Sequence, residues 1–100
     1  MRALLALLLF ASASATAADG KASFDYHCGK CHAPGGTGTF MLAKRFGPEQ
    51  ALLQNRKEIA AEFVKHTVRW GSLSMPRITR VEVPDAELDA IAAYLVSAGK

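Results

Sequence analysis

The stretch His27-Cys28-Gly29-Lys30-Cys31-His32, HCGKCH, decides how the rest of the chain is read. Cys28 and Cys31 stand three apart, and His32 follows at once. A Cys-x-x-Cys pair has three common uses: a redox disulfide, half of a zinc site, or a covalent tether for a prosthetic group. The remaining residues have to supply whatever else each use needs.

A thioredoxin-type redox pair sits in a βαβ unit. No segment here alternates apolar and polar residues in the manner of a strand. A structural zinc site needs four ligands, usually in two groups. Cys28, Cys31 and His32 offer three, and His27 or His66 a fourth. Adjacent ligands in one short loop make poor tetrahedral geometry, and there is no second Cys-x-x-Cys. The third use is c-type haem attachment, for which Cys-x-x-Cys-His is the recognised pattern. Its spacing has a reason. The two thiols add to the two vinyl groups on one edge of the macrocycle, and the next residue is then held beneath the iron. A neutral imidazole in that place is an iron ligand. Cys28 and Cys31 are therefore expected to carry one haem c, with His32 as the fifth ligand.

Composition agrees. The chain has 100 residues and opens with one charge, Arg2, an apolar run from Ala3 to Phe10, and small residues ending in Ala15-Thr16-Ala17. This reads as a cleavable signal peptide over residues 1–17. It implies export, and with haem attachment a bacterial periplasm. The apolar run is too short to span a bilayer, which takes roughly 20 residues, so the mature chain is not expected to be an integral membrane protein. Residues 18–100 then form one domain of about 80 residues, small enough to need a staple beyond its own core. A Cys28–Cys31 disulfide closes too short a loop to serve. A large bound cofactor does serve. The net charge of +3 is spread over short basic pairs such as Lys44-Arg45 and Arg56-Lys57. They form no stripe of the kind that binds nucleic acid.

The pattern predicts an all-α domain. A helix is expected over Ala22–Cys31, with Phe24 and Cys28 on one face. APGGTGT is a loop, Phe40–Phe46 a short helix, and Pro48 starts a further short turn. In EIAAEFVKHTVRW, Ile59, Phe63, Val64, Thr67, Val68 and Trp70 follow a helical period that Gly71 stops. SLSMPRITRVEVP is irregular. PDAELDAIAAYLVSAGK is a helix capped by Asp85, striped by Leu88, Ile91, Ala92 and Leu95, and ended by Gly99. Such long loops in a small domain make sense if they wrap a cofactor.

The sixth iron ligand has to come from Met41, Met75, His27 or His66. His27 adjoins a tethering cysteine, and Met41 follows His32 too closely to round the ring edge. Met75, followed by Pro76 in the irregular loop, is the expected ligand, against the plain alternative of an apolar gap-filler. Met/His ligation raises the potential of a cytochrome. Trp70 and Arg69, near the Met75 loop, are candidates to meet the haem propionates. Core packing for Trp70 and a plain surface position for Arg69 stand beside that reading.

Cys28-x-x-Cys31-His32, the downstream Met75-Pro76 and the closing AAYL together resemble class I c-type cytochromes over the whole mature chain. The resemblance implies a small cytochrome c fold wrapped around one covalent haem. It also implies that Gly20 and Phe24 meet Tyr94 where the terminal helices cross. FDYHCGKCH, EFVKHTVRWGSLSMP and DAELDAIAAYL further resemble the small cytochrome subunit of p-cresol methylhydroxylase-type flavocytochromes, which implies a flavoprotein partner as electron donor. Two features depart from the family. Thr39 stands where a proline is usual, and the segment from Phe40 to Lys57 is longer than in the resembled subunit. The function expected is electron transfer, with no catalytic residue. The alternative is a haem enzyme or gas sensor with an open or displaceable sixth position.

Overall fold

The computed structural model describes residues 18–100; the signal peptide assigned to residues 1–17 lies outside them. Among the described residues the α-helices are α1 (Gly20–His27), α2 (Gly29–His32), α3 (Thr37–Phe46), α4 (Ala61–Trp70) and α5 (Asp85–Ala98). Two 3₁₀ turns, Pro48–Gln50 and Leu53–Asn55, join α3 to α4. There is no strand among them, only an isolated bridge between Ser72 and Met75. The all-α class expected from the sequence is the one observed.

Asp19 starts α1, its carboxylate accepting the Ala22 N–H at 3.1 Å, which satisfies one of the free donors of a helix start. α1 packs across α5, and the crossing depends on Gly20. A Cβ there would overlap the Ala90 carbonyl oxygen and lie 2.8 Å from Tyr94 Cβ. With no side chain in the way the two backbones close up, and Phe24 falls to 2% exposure. Its ring meets that of Tyr94 at 5.6 Å with a 48° tilt, so the contact implied by the resemblance is present. Lower on α1, His27 Nε2 lies 2.6 Å from Glu87 Oε2, a second link to α5.

α5 buries Leu88, Ile91, Ala92 and Leu95, the stripe its spacing predicts. α4 brings Val64 and Val68 against it, and Val83 of the intervening loop completes the cluster. Each such side chain is worth about 1.5–3 kcal/mol when fully buried. Phe63 and Trp70, also on the expected apolar stripe of α4, are 58% and 64% exposed. They sit seven apart on a flank that turns away from the core, whereas Val64 and Val68 are buried in it. α3 buries no residue, and its Phe40 and Phe46 are exposed, covered by cations instead. Lys44 Nζ lies 4.7 Å from the Phe40 ring, and Arg45 and Arg56 lie 4.9 and 5.0 Å from that of Phe46.

Several helix ends differ from expectation: α3 begins at Thr37, inside the stretch read as a loop, and α4 begins at Ala61, past Ile59. The Ala22–Cys31 segment is divided at Cys28, a turn residue that ends α1 and starts α2 with φ −113° and ψ −23°, still in the right-handed helical region. Asp85 does not cap α5. Pro84 holds the cap position without a side-chain bond, and Asp85 is the first helical residue. Its carboxylate is engaged elsewhere, by Arg69 and Arg80. Gly99 does close α5, and it is buried because the Arg56 carbonyl oxygen fills the space a Cβ would need.

Candidate functional site

The division at Cys28 makes residues 28–32 a turn of their own, with His27 the last residue of α1. The Cys28 carbonyl accepts the N–H groups of both Cys31 (3.2 Å) and His32 (3.0 Å), and Ala33 N–H reaches Gly29 O at 2.9 Å. Both thiols and the imidazole thus project from one hydrogen-bonded turn of five residues. Cys28 is half-buried and Cys31 exposed, and both are free thiols. Burial pushes the Cys28 thiol up to about 11, with the nearby Cys31 adding to it, so Cys28 stays a neutral thiol at ordinary pH.

His32 is buried at 9% exposure. Burial first, and then the positive charge of Arg56, hold its imidazole below the usual value of 6.5. The ring is therefore neutral at pH 7, the state in which imidazole binds metals. Its Nδ1 is buried and has no hydrogen-bond partner, an uncommon condition for a buried polar atom. The wall behind the ring is made by glycine. A Cβ on Gly38 would stand 3.2 Å from His32 Cε1 and 2.9 Å from the Cys31 carbonyl oxygen, and one on Gly36 would overlap that oxygen. No side chain fits between α3 and the turn. Thr39, in the family's proline position, gives a hydroxyl to the Ala33 carbonyl at 2.8 Å and lies 3.4 Å from that of Cys31. The α3 start is therefore pinned to the turn by a side-chain hydrogen bond.

Met75 lies in the loop between α4 and α5, half-buried against the same core cluster that Cys28 packs on. Its position is tightly specified. Ser72 N–H donates to Met75 O at 3.0 Å and Met75 N–H to Ser72 O at 2.9 Å. Leu73 takes a positive φ of 53° inside this turn, and Gly71 takes 74° at its base. A Cβ on Gly71 would stand 2.8 Å from the Met75 carbonyl oxygen, so glycine is required on both steric and conformational grounds. Trp70 is exposed, stacked on His66 at 6.0 Å with Arg77 lying over it at 5.4 Å. Met41, on α3, is 47% exposed.

Sequence reasoning missed Arg69. Taken as plain surface, it is only 13% exposed in its side chain. Its guanidinium donates to Ile78 O (3.2 Å), Val83 O (2.9 Å) and Asp85 Oδ1 (2.8 Å). Nothing local in the sequence marks this, because every acceptor lies nine or more residues downstream.

Among the described residues no three His, Cys, Asp or Glu side chains converge on one point, so the turn is not completed into a zinc site. A groove of about 530 Å³ opens beside it, lined by Pro34, Gly36, Thr39, Phe40, Pro48 and Leu52 among others. None of Cys28, Cys31, His32 and Met75 lines that groove. The residues fit a covalently held haem on three counts. Two free thiols share one turn, a neutral imidazole is buried beside them with an unpartnered nitrogen, and α3 presents apolar side chains without a core to bury them.

Fold and site together define a c-type cytochrome domain. The chain belongs to the family described as cytochrome C oxidase, cbb3-type, subunit III, whose model matches residues 15–95. Comparison with curated proteins and with solved structures gave no match. The protein is a haem c electron-transfer protein, and its cofactor is covalently bound haem c. No described helix is long and apolar enough to cross a membrane.

Proposed function

We propose that this protein is a periplasmic monohaem cytochrome that carries single electrons between proteins, with His32 and Met75 as the axial ligands of its iron. Cys28 and Cys31 form the two thioether links, and the signal peptide over residues 1–17 directs export before attachment. When bound, the haem supplies a one-electron couple between ferric and ferrous iron. His32 holds its place through the α2 turn and the glycine wall at Gly36 and Gly38. Met75 is presented by the Gly71–Met75 turn, against the same core cluster that Cys28 packs on. Trp70 and its indole N–H remain the candidate contact for a propionate.

The observation that carries this reading is the buried His32, its Nδ1 without a partner, in one turn with two free thiols. A carrier needs both axial positions filled by protein, and the over-determined turn around Met75 supports that. An open-site enzyme needs a polar group for acid–base work. His66, the residue available for it, is exposed and stacked on Trp70. The donor we favour is a flavoprotein dehydrogenase or hydroxylase subunit, on the strength of the three stretches that resemble flavocytochrome subunits.

The test is Met75→His. The haem should stay covalently attached, the ferric sulfur-to-iron charge-transfer band should vanish, and the reduction potential should fall, because imidazole favours ferric iron more than a thioether does. An unchanged potential with an unchanged ferric spectrum would show that Met75 never meets the iron.

A further inference from the structure

Arg69 is a charged side chain with little exposure, bonded to residues that follow Met75 in the chain. Burying a guanidinium is costly unless it is paired and hydrogen-bonded. Here the pairing is directional. All three acceptors lie beyond Met75, at Ile78, Val83 and Asp85. The neighbouring backbone adds to the grip. Ile78 N–H donates to Val68 O at 2.8 Å, and Arg77 Nε lies 3.4 Å from Arg69 O. The last turn of α4 therefore holds the far arm of the loop, while Gly71 and the Ser72–Met75 pair hold the near arm. Met75 sits between two fixed points. A planar fork suits this task. Two nitrogens of one rigid group reach two carbonyls and a carboxylate at once, which a lysine ammonium on a flexible stem does less well.

We infer that Arg69 is a positioning residue for the sixth ligand, clamping the Met75 loop to α4 and to the start of α5 so that the thioether is held ready for the iron. The inference rests on the reading of Met75 as that ligand. Arg69 acts through the Ile78 and Val83 carbonyls, not by contact with the haem. Asp85 is the outer part of the clamp. It is shared with Arg80, whose Nε lies 3.2 Å from Oδ2, and it is the one acceptor that solvent reaches freely.

The experiment compares holoprotein of wild type, Arg69→Gln, Arg69→Lys and Asp85→Asn. Three quantities are read: the ferric sulfur-to-iron band, the rate of carbon monoxide binding to the ferrous form, and helical content. Arg69→Gln should weaken the band and speed carbon monoxide binding about tenfold, with helical content and covalent haem unchanged. A tenfold change is about 1.4 kcal/mol, the size of one lost hydrogen bond to a charged group. Arg69→Lys should fall between Arg69→Gln and wild type, and Asp85→Asn should stay within about twofold of wild type. A full band and a wild-type carbon monoxide rate in Arg69→Gln overturn the inference. If that variant does not fold, a wild-type rate in Arg69→Lys overturns it instead. A wild type lacking the band rejects Met75 as the ligand, a different failure. Amide hydrogen exchange over residues 72–83 then still judges the clamp: faster exchange in Arg69→Gln supports it, and equal exchange refutes it.

Discussion

Substituting Gly20 by alanine adds one methyl group at the place where α1 and α5 touch. The Cβ would lie 2.8 Å from Tyr94 Cβ and overlap the Ala90 carbonyl oxygen. Ordinary contact begins near 3.4 Å, so α1 has to retreat by more than about 0.6 Å, because the obstructing oxygen is nearer still and is backbone that cannot rotate aside. The retreat reopens the packing of Phe24 on Tyr94 and on Ile91 and Leu95, which are among the most buried side chains of the domain. Overpacking of this kind costs about 1–3 kcal/mol, and alanine's better helix propensity returns up to about 1 kcal/mol of it. Gly20 is the first residue of α1, where little of that return applies, so the net loss stays near about 1–3 kcal/mol, or about 4–24 °C in a domain of this size. The assay is thermal unfolding of holoprotein followed by circular dichroism. Gly29→Ala is the internal control. Gly29 is also helical, yet nothing lies within 4 Å of a Cβ there, so this variant should be neutral or slightly stabilised. Equal midpoints for Gly20→Ala and wild type, or equal losses in the two variants, would refute the account of the crossing.

Three further outcomes are expected. Chain lacking both thiols (Cys28→Ala with Cys31→Ala) should not unfold cooperatively, because α3 buries nothing of its own; a sharp, fully helical melt of that apo-protein contradicts this. Thr39→Val should lower the thermal midpoint by about 4–8 °C, the value of about 1 kcal/mol for the hydroxyl bond to Ala33 O, and an unchanged midpoint argues that α3 is pinned by other means. The Asp85 carboxyl is held below its ordinary value of 3.8 by the hydrogen bond from Arg69 first and by Arg80 next. A carboxyl depressed in the folded state adds stability that is complete above its unfolded value and fades as pH falls through the folded one. Asp85→Asn should therefore lower the midpoint modestly at pH 7, where the contribution is complete, and flatten the acid limb of midpoint against pH below about 4, so that its curve converges on that of wild type in acid; an acid limb as steep as that of wild type rules this out.

The sequence by itself determined the chemistry of the attachment turn. Five consecutive residues carry both thiols and the imidazole, and local hydrogen bonds are enough to shape them. It also determined the face of α5, because a helical period fixes which residues share a side. Gly20, Phe24 and Tyr94 were legible only through resemblance, since their meeting joins the two ends of the chain. Only the tertiary structure decided which flank of α4 is buried. Period placed Phe63 and Trp70 with Val64 and Val68, but just the latter pair is buried in the core. It likewise decided the roles of Arg69 and Asp85. A basic residue near a helix end and an acidic one at a helix start read as solvated surface and cap. Folding places the guanidinium beside the Ile78 and Val83 carbonyls and draws the Asp85 carboxylate to it. Such a pairing is set by distance in space between residues 16 positions apart, and no local pattern encodes that distance.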